Sequence, residues 1–312
     1  MKKETLTLPS AADGLPLSIL ITLPEESPRA LVQLSHGMSE YKERYLPFME
    51  YLTQRGFACI INDHRGHGQS VRSREDLGYF GEKGKGADLL LRDLHQVTGV
   101  FKARFPGLPL FLFGHSMGSL AVRCYARRWD EELSGLMVCG CPGENNAAPL
   151  GIGLARVLGA LLGQHYRSRL LAVLMFGGYN RTAKVHGRNA WICANEEMLK
   201  EYNQDPLCGF LFTVNGVESL LRLMRECYST EGWTIGNPDM PIHFISGGND
   251  PCRISDEKFE AAGQQLRLRG YRSVTQKLYP GLRHEILNEG VREVWEDAGD
   301  VLCAWADACT QA

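Results

Sequence analysis

The sequence predicts an α/β protein: a mostly parallel, twisted sheet with helices on both faces, interrupted by one helical insertion. Three features carry that expectation. Short, nearly continuous apolar runs recur, each closed by small or polar residues, as strands covered on both faces require. Helical segments alternate with these runs, which implies right-handed crossovers. Between Glu144 and Asn237 the alternation stops, and only helical segments remain.

Thr5–Leu8 and Leu17–Thr22 alternate in polarity around Asp13-Gly14 and read as a β-hairpin. Buried strands follow at Leu31–Leu34, Ala58–Ile61, Leu108–Phe113 and Gly135–Cys139. Between them lie helices over Tyr45–Arg55, Ala87–Arg104 and Met117–Arg128; in the second, Leu90, Leu94, Val97 and Phe101 share one face. The insertion reads as helices Leu150–Leu162, Ser168–Phe176, Glu196–Tyr202 and Val217–Tyr228. Strand Ile242–Ile245, helix Ser255–Arg269, strand Val274–Tyr279 and helix Val291–Trp305 restore the alternation. One core, residues 1–143 and 238–312, with a helical cap over 144–237, fits this order better than two sequential domains.

The 312 residues are 44% hydrophobic and 22% charged, with net charge -2, which suits a chain burying a large core. Thirty-four Lys+Arg against 36 Asp+Glu leave no excess basicity for nucleic acid and no polybasic arm for anionic lipid. The start, with Glu4 among alternating residues, lacks a signal peptide's apolar core. Pro149–Gln164 is broken by Arg156 and is shorter than the roughly 20 residues of a spanning helix. Ten scattered cysteines, without a CxxC, point to reduced thiols in a cytoplasmic protein rather than to zinc or redox chemistry.

Gly114-His115-Ser116-Met117-Gly118 matches G-x-S-x-G, between a predicted strand and a predicted helix. A sharp turn there puts the Ser116 hydroxyl at the sheet's carboxyl edge, with a helix N-terminus beneath it favouring negative charge. A serine needs a base to take its proton and an acid to orient that base. Of the later histidines, His165 and His186 fall in the insertion and His243 inside a strand. His284 follows a strand on a loop, so it is the expected base. Asp250 closes the loop after Ile242–Ser246 and is the expected acid; Asp239 lies at the opposite edge, and Asp256 reads as a first-turn helix residue. The backbone N–H groups of Met117 and of Met38, in Ser35-His36-Gly37-Met38, complete an expected oxyanion hole. His36 and His115 adjoin this backbone and read as its supports.

His64 and His67, three apart, lack an evident third ligand, so a structured loop is expected rather than a metal. Gly81–Gly86 lacks the Gly-Lys-Ser/Thr ending of a phosphate loop. No metal or cofactor is expected.

At these residues the sequence resembles the α/β-hydrolase superfamily, and within it the monoacylglycerol lipase and lysophospholipase group. The likeness rests on His36-Gly37 with Glu40 and Arg44-Tyr45, on Asp63-His64-Arg65-Gly66-His67-Gly68-Gln69-Ser70, and on Gly114–Gly118. It extends to Gly247-Gly248-Asn249-Asp250-Pro251 and to Tyr279–Glu285. Met38 stands where a small residue is common, and Ser119 replaces a common third glycine. The resemblance implies a serine hydrolase of the α/β-hydrolase fold, acting on monoacyl lipid esters through an acyl-enzyme. The aspartate that related dehalogenases and epoxide hydrolases place at the Ser116 position is absent.

Apolar residues of the cap, with Leu154, Leu158, Leu174, Phe176, Phe210 and Phe212 as candidates, are expected to line an acyl pocket. Leu150–Leu162 is a candidate for transient contact with a membrane or micelle. The rivals are an esterase for small or aromatic esters, an aminopeptidase using Glu196 or Glu197 to hold an amine, and a silent ligand-binding protein.

Overall fold

The computed structural model describes residues 1–311. Eight strands form one sheet: β1 (Lys2–Pro9), β2 (Pro16–Leu23), β3 (Ala30–Ser35), β4 (Phe57–Asn62), β5 (Leu110–His115), β6 (Gly135–Cys139), β7 (Ile242–Gly247) and β8 (Val274–Tyr279). Their order is β1-β2-β4-β3-β5-β6-β7-β8. β2 runs antiparallel to β1 and to β4, and every pair from β4 to β8 is parallel. The hairpin turn spans Ser10–Leu15, with the Ser10 N–H donating to the Leu15 carbonyl and Gly14 at φ 70°.

Period-two alternation divides the strands' side chains between two apolar layers. On β4 and β5, Ala58, Ile60, Leu110 and Leu112 join one layer, while Cys59, Ile61, Phe111 and Phe113 join the other. Helices α1 (Leu46–Gln54) and α10 (Arg292–Gln311) cover the second through Phe48, Met49, Leu52, Val294 and Leu302. Helices α2 (Gly86–Arg104), α3 (Met117–Trp129) and α9 (Asp256–Arg269) cover the first. Because the strands of the parallel part are covered on both faces, their sequences are apolar throughout.

Between β6 and β7 lie α4 (Ala148–Leu162), α5 (Arg169–Phe176), the single turn α6 (Tyr179–Thr182), α7 (Glu196–Gln204) and α8 (Val214–Tyr228). No strand interrupts them among the described residues. α8 starts three residues before the sequence suggests because Thr213 caps it, its hydroxyl accepting from the Gly216 N–H. α8 packs on α2, α3 and α4, and its Val217, Leu220, Leu221 and Leu223 join the apolar layer of the sheet. The helical segment therefore shares the core of the sheet. A smaller cluster of Ile192, Cys193, Tyr202 and Cys208 lies apart from it.

Parallel register sets the level of the loops: Ser35 lies opposite Gly114, His115 opposite Cys139, and Gly247 opposite Tyr279. The loops after β3, β5, β7 and β8 thus leave one edge together. Among the described residues no helix is long and apolar enough to cross a membrane.

Candidate active site

Ser116 stands between β5 and α3 at φ 54°, ψ -117°, a conformation that side chains other than glycine rarely adopt. The flanking glycines make the turn possible. A Cβ on Gly114 would lie 2.4 Å from the Gly118 carbonyl oxygen, and one on Gly118 would lie 2.0 Å from that of Ser35. The Ser116 N–H donates to the Cys139 carbonyl, which fixes the turn to β6.

Ser116, His284 and Asp250 form one hydrogen-bonded chain. His284 Nε2 is 2.8 Å from Ser116 Oγ, and His284 Nδ1 is 2.9 Å from Asp250 Oδ2. Asp250 also accepts from the Cys252 N–H at 2.8 Å and from the Ser246 hydroxyl at 3.1 Å. Burial pushes its carboxyl up, but His284 and these donors outweigh burial and hold it below the ordinary carboxylate value. An ionised acceptor on Nδ1 keeps the proton there and leaves Nε2 free to accept from Ser116.

Met38 and Met117 line the cavity together with Ser116, and their N–H groups donate to no other group among the described residues. Gly37 lets the first of them come close: a Cβ there would sit 3.1 Å from the Ser116 Cβ. The Gly37 N–H itself donates to Glu40 Oε1 at 2.5 Å. Glu40 Oε1 further accepts from the Tyr45 hydroxyl and faces His115 Nδ1, while its Oε2 accepts from Arg44. Burial raises the Glu40 carboxyl, yet His115 and Arg44 hold it far below its ordinary value. His115 Nε2 lies 3.1 Å from the His284 carbonyl oxygen, so this ring bridges the Glu40 loop and the His284 loop. His36 Nε2 accepts from the His64 N–H.

His36, His64 and His67 form a buried cluster whose ring centroids are 4.4–6.4 Å apart. His64 Nε2 meets the Ser35 hydroxyl and His67 Nδ1 meets the Arg65 carbonyl, a structured-loop arrangement. Asp250, Cys252 and His284 are the one trio of ligand-type residues close enough to share a cation among the described residues. In that trio, Asp250 and His284 already bond each other, and His284 Nε2 faces Ser116.

From Ser116 a cavity of about 410 Å³ runs beneath the helical segment. Phe176, Phe210 and Phe212 line it, with Leu220, Leu221 and Met224 of α8. Leu154, Leu158 and Leu174 do not. Leu154 and Leu158 pack against the core from α4, whose buried positions Ile152 and Ala155 face α8. On α5, Ala172, Met175 and Phe176 face the cavity, while Leu174 lies about 200° round the helix from Ala172 and is 66% exposed. Sequence reasoning missed Tyr179, which lines the cavity together with Cys252, and Trp191, whose ring is 5.2 Å from that of His284. The available signal was a large ring in an otherwise polar, glycine-rich loop. Glu196 and Glu197 are exposed in the first turn of α7, outside the cavity lining.

Residues 26–290 match the family model Hydrolase_4, described as serine aminopeptidase, S33. A monoacylglycerol lipase of Mycolicibacterium smegmatis is 26% identical over 271 residues, 85% of each chain. The human monoglyceride lipase is 25% identical over 304 residues, covering 96% of this chain and 89% of that one. Among solved structures, a carboxyl esterase from Bacillus coagulans superposes with TM-score 0.87 at 25% identity, over 99% of both chains. The eight-stranded sheet, the match across most of its length and these relatives lead to one conclusion: the chain belongs to the Hydrolase_4 family of α/β-hydrolases and is a hydrolase similar to the monoacylglycerol lipases.

Proposed function

We propose that the protein hydrolyses carboxylic esters of monoacyl lipids, monoacylglycerols or lysophospholipids, through an acyl-enzyme. The observation that carries this reading is the apolar cavity of about 410 Å³ opening on Ser116. It accepts one acyl chain, and residues 144–237 act as a cap over it. Ser116 Oγ attacks the ester carbon as its proton passes to His284 Nε2, while Asp250 holds the imidazole and stabilises its positive form. The oxyanion takes hydrogen bonds from the Met38 and Met117 amides, each worth about 3 kcal/mol in such sites. The ester C–O bond breaks and Nε2 returns the proton to the leaving alcohol. Water then attacks the acyl carbon, gives its proton to Nε2, and the fatty acid leaves as Ser116 regains its hydrogen.

An aminopeptidase needs a free carboxylate to hold the substrate's ammonium. The two carboxylates lining the cavity, Glu40 and Glu285, are both engaged by Arg44, which weighs against amide substrates with a free amine.

A series of p-nitrophenyl esters and monoacylglycerols of rising chain length tests the reading. Each methylene buried adds about 0.8 kcal/mol, so kcat/KM rises up to about fourfold per methylene until the cavity is full. Fastest turnover on acetate, with none on monoacylglycerol, would instead assign a small-ester esterase.

A further inference from the structure

Residues 190–194, between α6 and α7, are bonded along their length to the loop that carries His284. The Glu285 N–H donates to the Ile192 carbonyl at 2.8 Å, and Arg283 Nη1 donates to the Ala190 and Cys193 carbonyls, each at 2.7 Å. In the other direction the Ala194 N–H donates to Glu289 Oε2 at 3.0 Å, while Glu289 Oε1 accepts from the Arg283 N–H. Trp191 lies inside this seam, and its backbone N–H donates to Asn180 Oδ1 at 3.0 Å. The indole is thereby held beside His284, with 5.2 Å between the ring centroids.

Two further rings extend this surface. Tyr179 meets Trp191 edge to face, with centroids 4.9 Å apart and planes at 84°, and Phe176 meets Tyr179 in the same way at 5.5 Å and 83°. Phe176 is parallel to Trp191 within 3°, at 6.5 Å. Edge-to-face contacts of this kind stabilise ring pairs beyond their burial. All three rings line the cavity with Ser116 and His284, and no lysine or arginine lines it among the described residues. Its two carboxylates, Glu40 and Glu285, are both bonded to Arg44. Cys252 Sγ is 3.9 Å from His284 Nε2, and burial with the neighbouring Asp250 keeps that thiol neutral. The wall beside the base is therefore aromatic and carries no free charge.

The chemistry of ester cleavage decides what such a wall touches. The leaving oxygen takes its proton from His284 Nε2 and so lies within hydrogen-bond reach of it. The group attached to that oxygen then falls among the cavity residues flanking the imidazole, first Trp191 and beyond it Tyr179 and Phe176. Leu220, Leu221 and Met224 of α8 remain for the acyl chain. We propose that Phe176, Tyr179 and Trp191 form a subsite for an aromatic alcohol group of the ester, with Trp191 as its specificity-determining residue. A flat ring covers these faces and edges, whereas a puckered aliphatic group of the same size does not. The inference rests on the acyl-enzyme reading for where the alcohol lies, and goes beyond it in assigning that half of the substrate.

The test holds the acyl group constant and compares benzyl octanoate with cyclohexylmethyl octanoate. The two alcohols match in carbon count and leave as alkoxides of similar basicity, so the ratio of their kcat/KM values reports recognition of the flat ring. The whole protein is expected to favour the benzyl ester about fivefold or more. Trp191→Ala brings that ratio to about one, and Trp191→Leu, which refills much of the volume, does the same. Trp191→Phe keeps most of the preference. Because the ratio is internal to each variant, a general loss of activity cancels from it, and thermal melting identifies the folded variants. A ratio near one in the wild-type protein, or a wild-type ratio in Trp191→Leu, overturns the proposal. The acetate esters of the same two alcohols separate it from the monoacyl reading. A benzyl preference with fastest turnover on acetates keeps the subsite and removes the lipid substrate, rising turnover with acyl length but no benzyl preference does the reverse, and no ester turnover removes both.

Discussion

Arg44 and Glu285 form a two-pronged ion pair: Nη1 meets Oε1 and Nη2 meets Oε2, each at 2.6 Å. Glu285 follows His284, and Arg44 Nη1 also reaches Glu40 Oε2 at 2.7 Å, while Glu40 Oε1 accepts from the Gly37 N–H. One guanidinium thus connects the His284 loop with the Gly37–Glu40 loop. It is mostly buried, and it lies over the Tyr202 ring at 4.9 Å, so the helical segment holds it from above.

Arg44→Met leaves two buried carboxylates without their cation, a change that costs about 3 kcal/mol or more. Calorimetry is expected to show a lowered Tm, and steady-state kinetics a kcat reduced by more than KM is raised, because the change displaces groups that act in the transition state. Arg44→Lys restores the charge but not the fork, and recovers stability only in part. A wild-type kcat in Arg44→Met would mean that the two loops keep their places unaided.

Ser116→Ala removes the proposed nucleophile and is expected to lower kcat by at least about four orders of magnitude with the fold intact. Ser116→Gly should be equally inactive yet about 1 kcal/mol more stable than Ser116→Ala, since glycine accepts φ 54°, ψ -117° without strain. Equal melting of the two variants would show that the turn stores no strain.

The sheet was legible because strands covered on both faces must be apolar throughout, and runs such as Ala58–Ile61 and Gly135–Cys139 have no other ready explanation. The turn at Ser116 was legible because two glycines and a serine at fixed spacing answer a local steric demand. Cavity walls are different. Phe176 and Leu174 are both apolar neighbours on α5, and only the placement of α5 decides which one faces inward. Helical period defines faces, not what each face meets. Arg44 and Glu285 are 241 residues apart, and no local pattern announces such a contact.

Burial lowers the pKa of His36 and His64, and takes that of His67 down to about 3. Folded, these rings bind fewer protons than in the unfolded chain, so stability falls as pH drops below 6.5, the ordinary histidine value. The loss is at most about 1.4 kcal/mol per pH unit for each ring. His115 works oppositely, since Glu40 raises its pKa against the opposing effect of burial, and its contribution is lost as pH rises. Burial lowers the pKa of His243 as well, and four rings against one predict a Tm that declines from pH 6.5 downward, with a shallower slope in His67→Gln. A Tm flat until the carboxylate range near pH 4.5 would contradict it, since Glu40, with its lowered pKa, loses its contribution only below that value.

Met224 lines the cavity from α8, one helical turn beyond Leu220. Met224→Trp fills part of the cavity proposed to take the acyl chain and is expected to lower kcat/KM for dodecanoyl esters about tenfold or more. Butyryl esters should change by less than about twofold, while overpacking costs about 1–3 kcal/mol of stability. Equal losses for both chain lengths would place the acyl chain elsewhere.

The central claim is that Ser116, driven by His284, attacks the carbonyl carbon. Labelling with an alkyl fluorophosphonate, followed by peptide mass spectrometry, tests it most directly. The account predicts one adduct on the peptide bearing Ser116, none in Ser116→Ala, and labelling slowed by about a hundredfold or more in His284→Ala. An adduct on another residue, or wild-type labelling rates without His284, would contradict it.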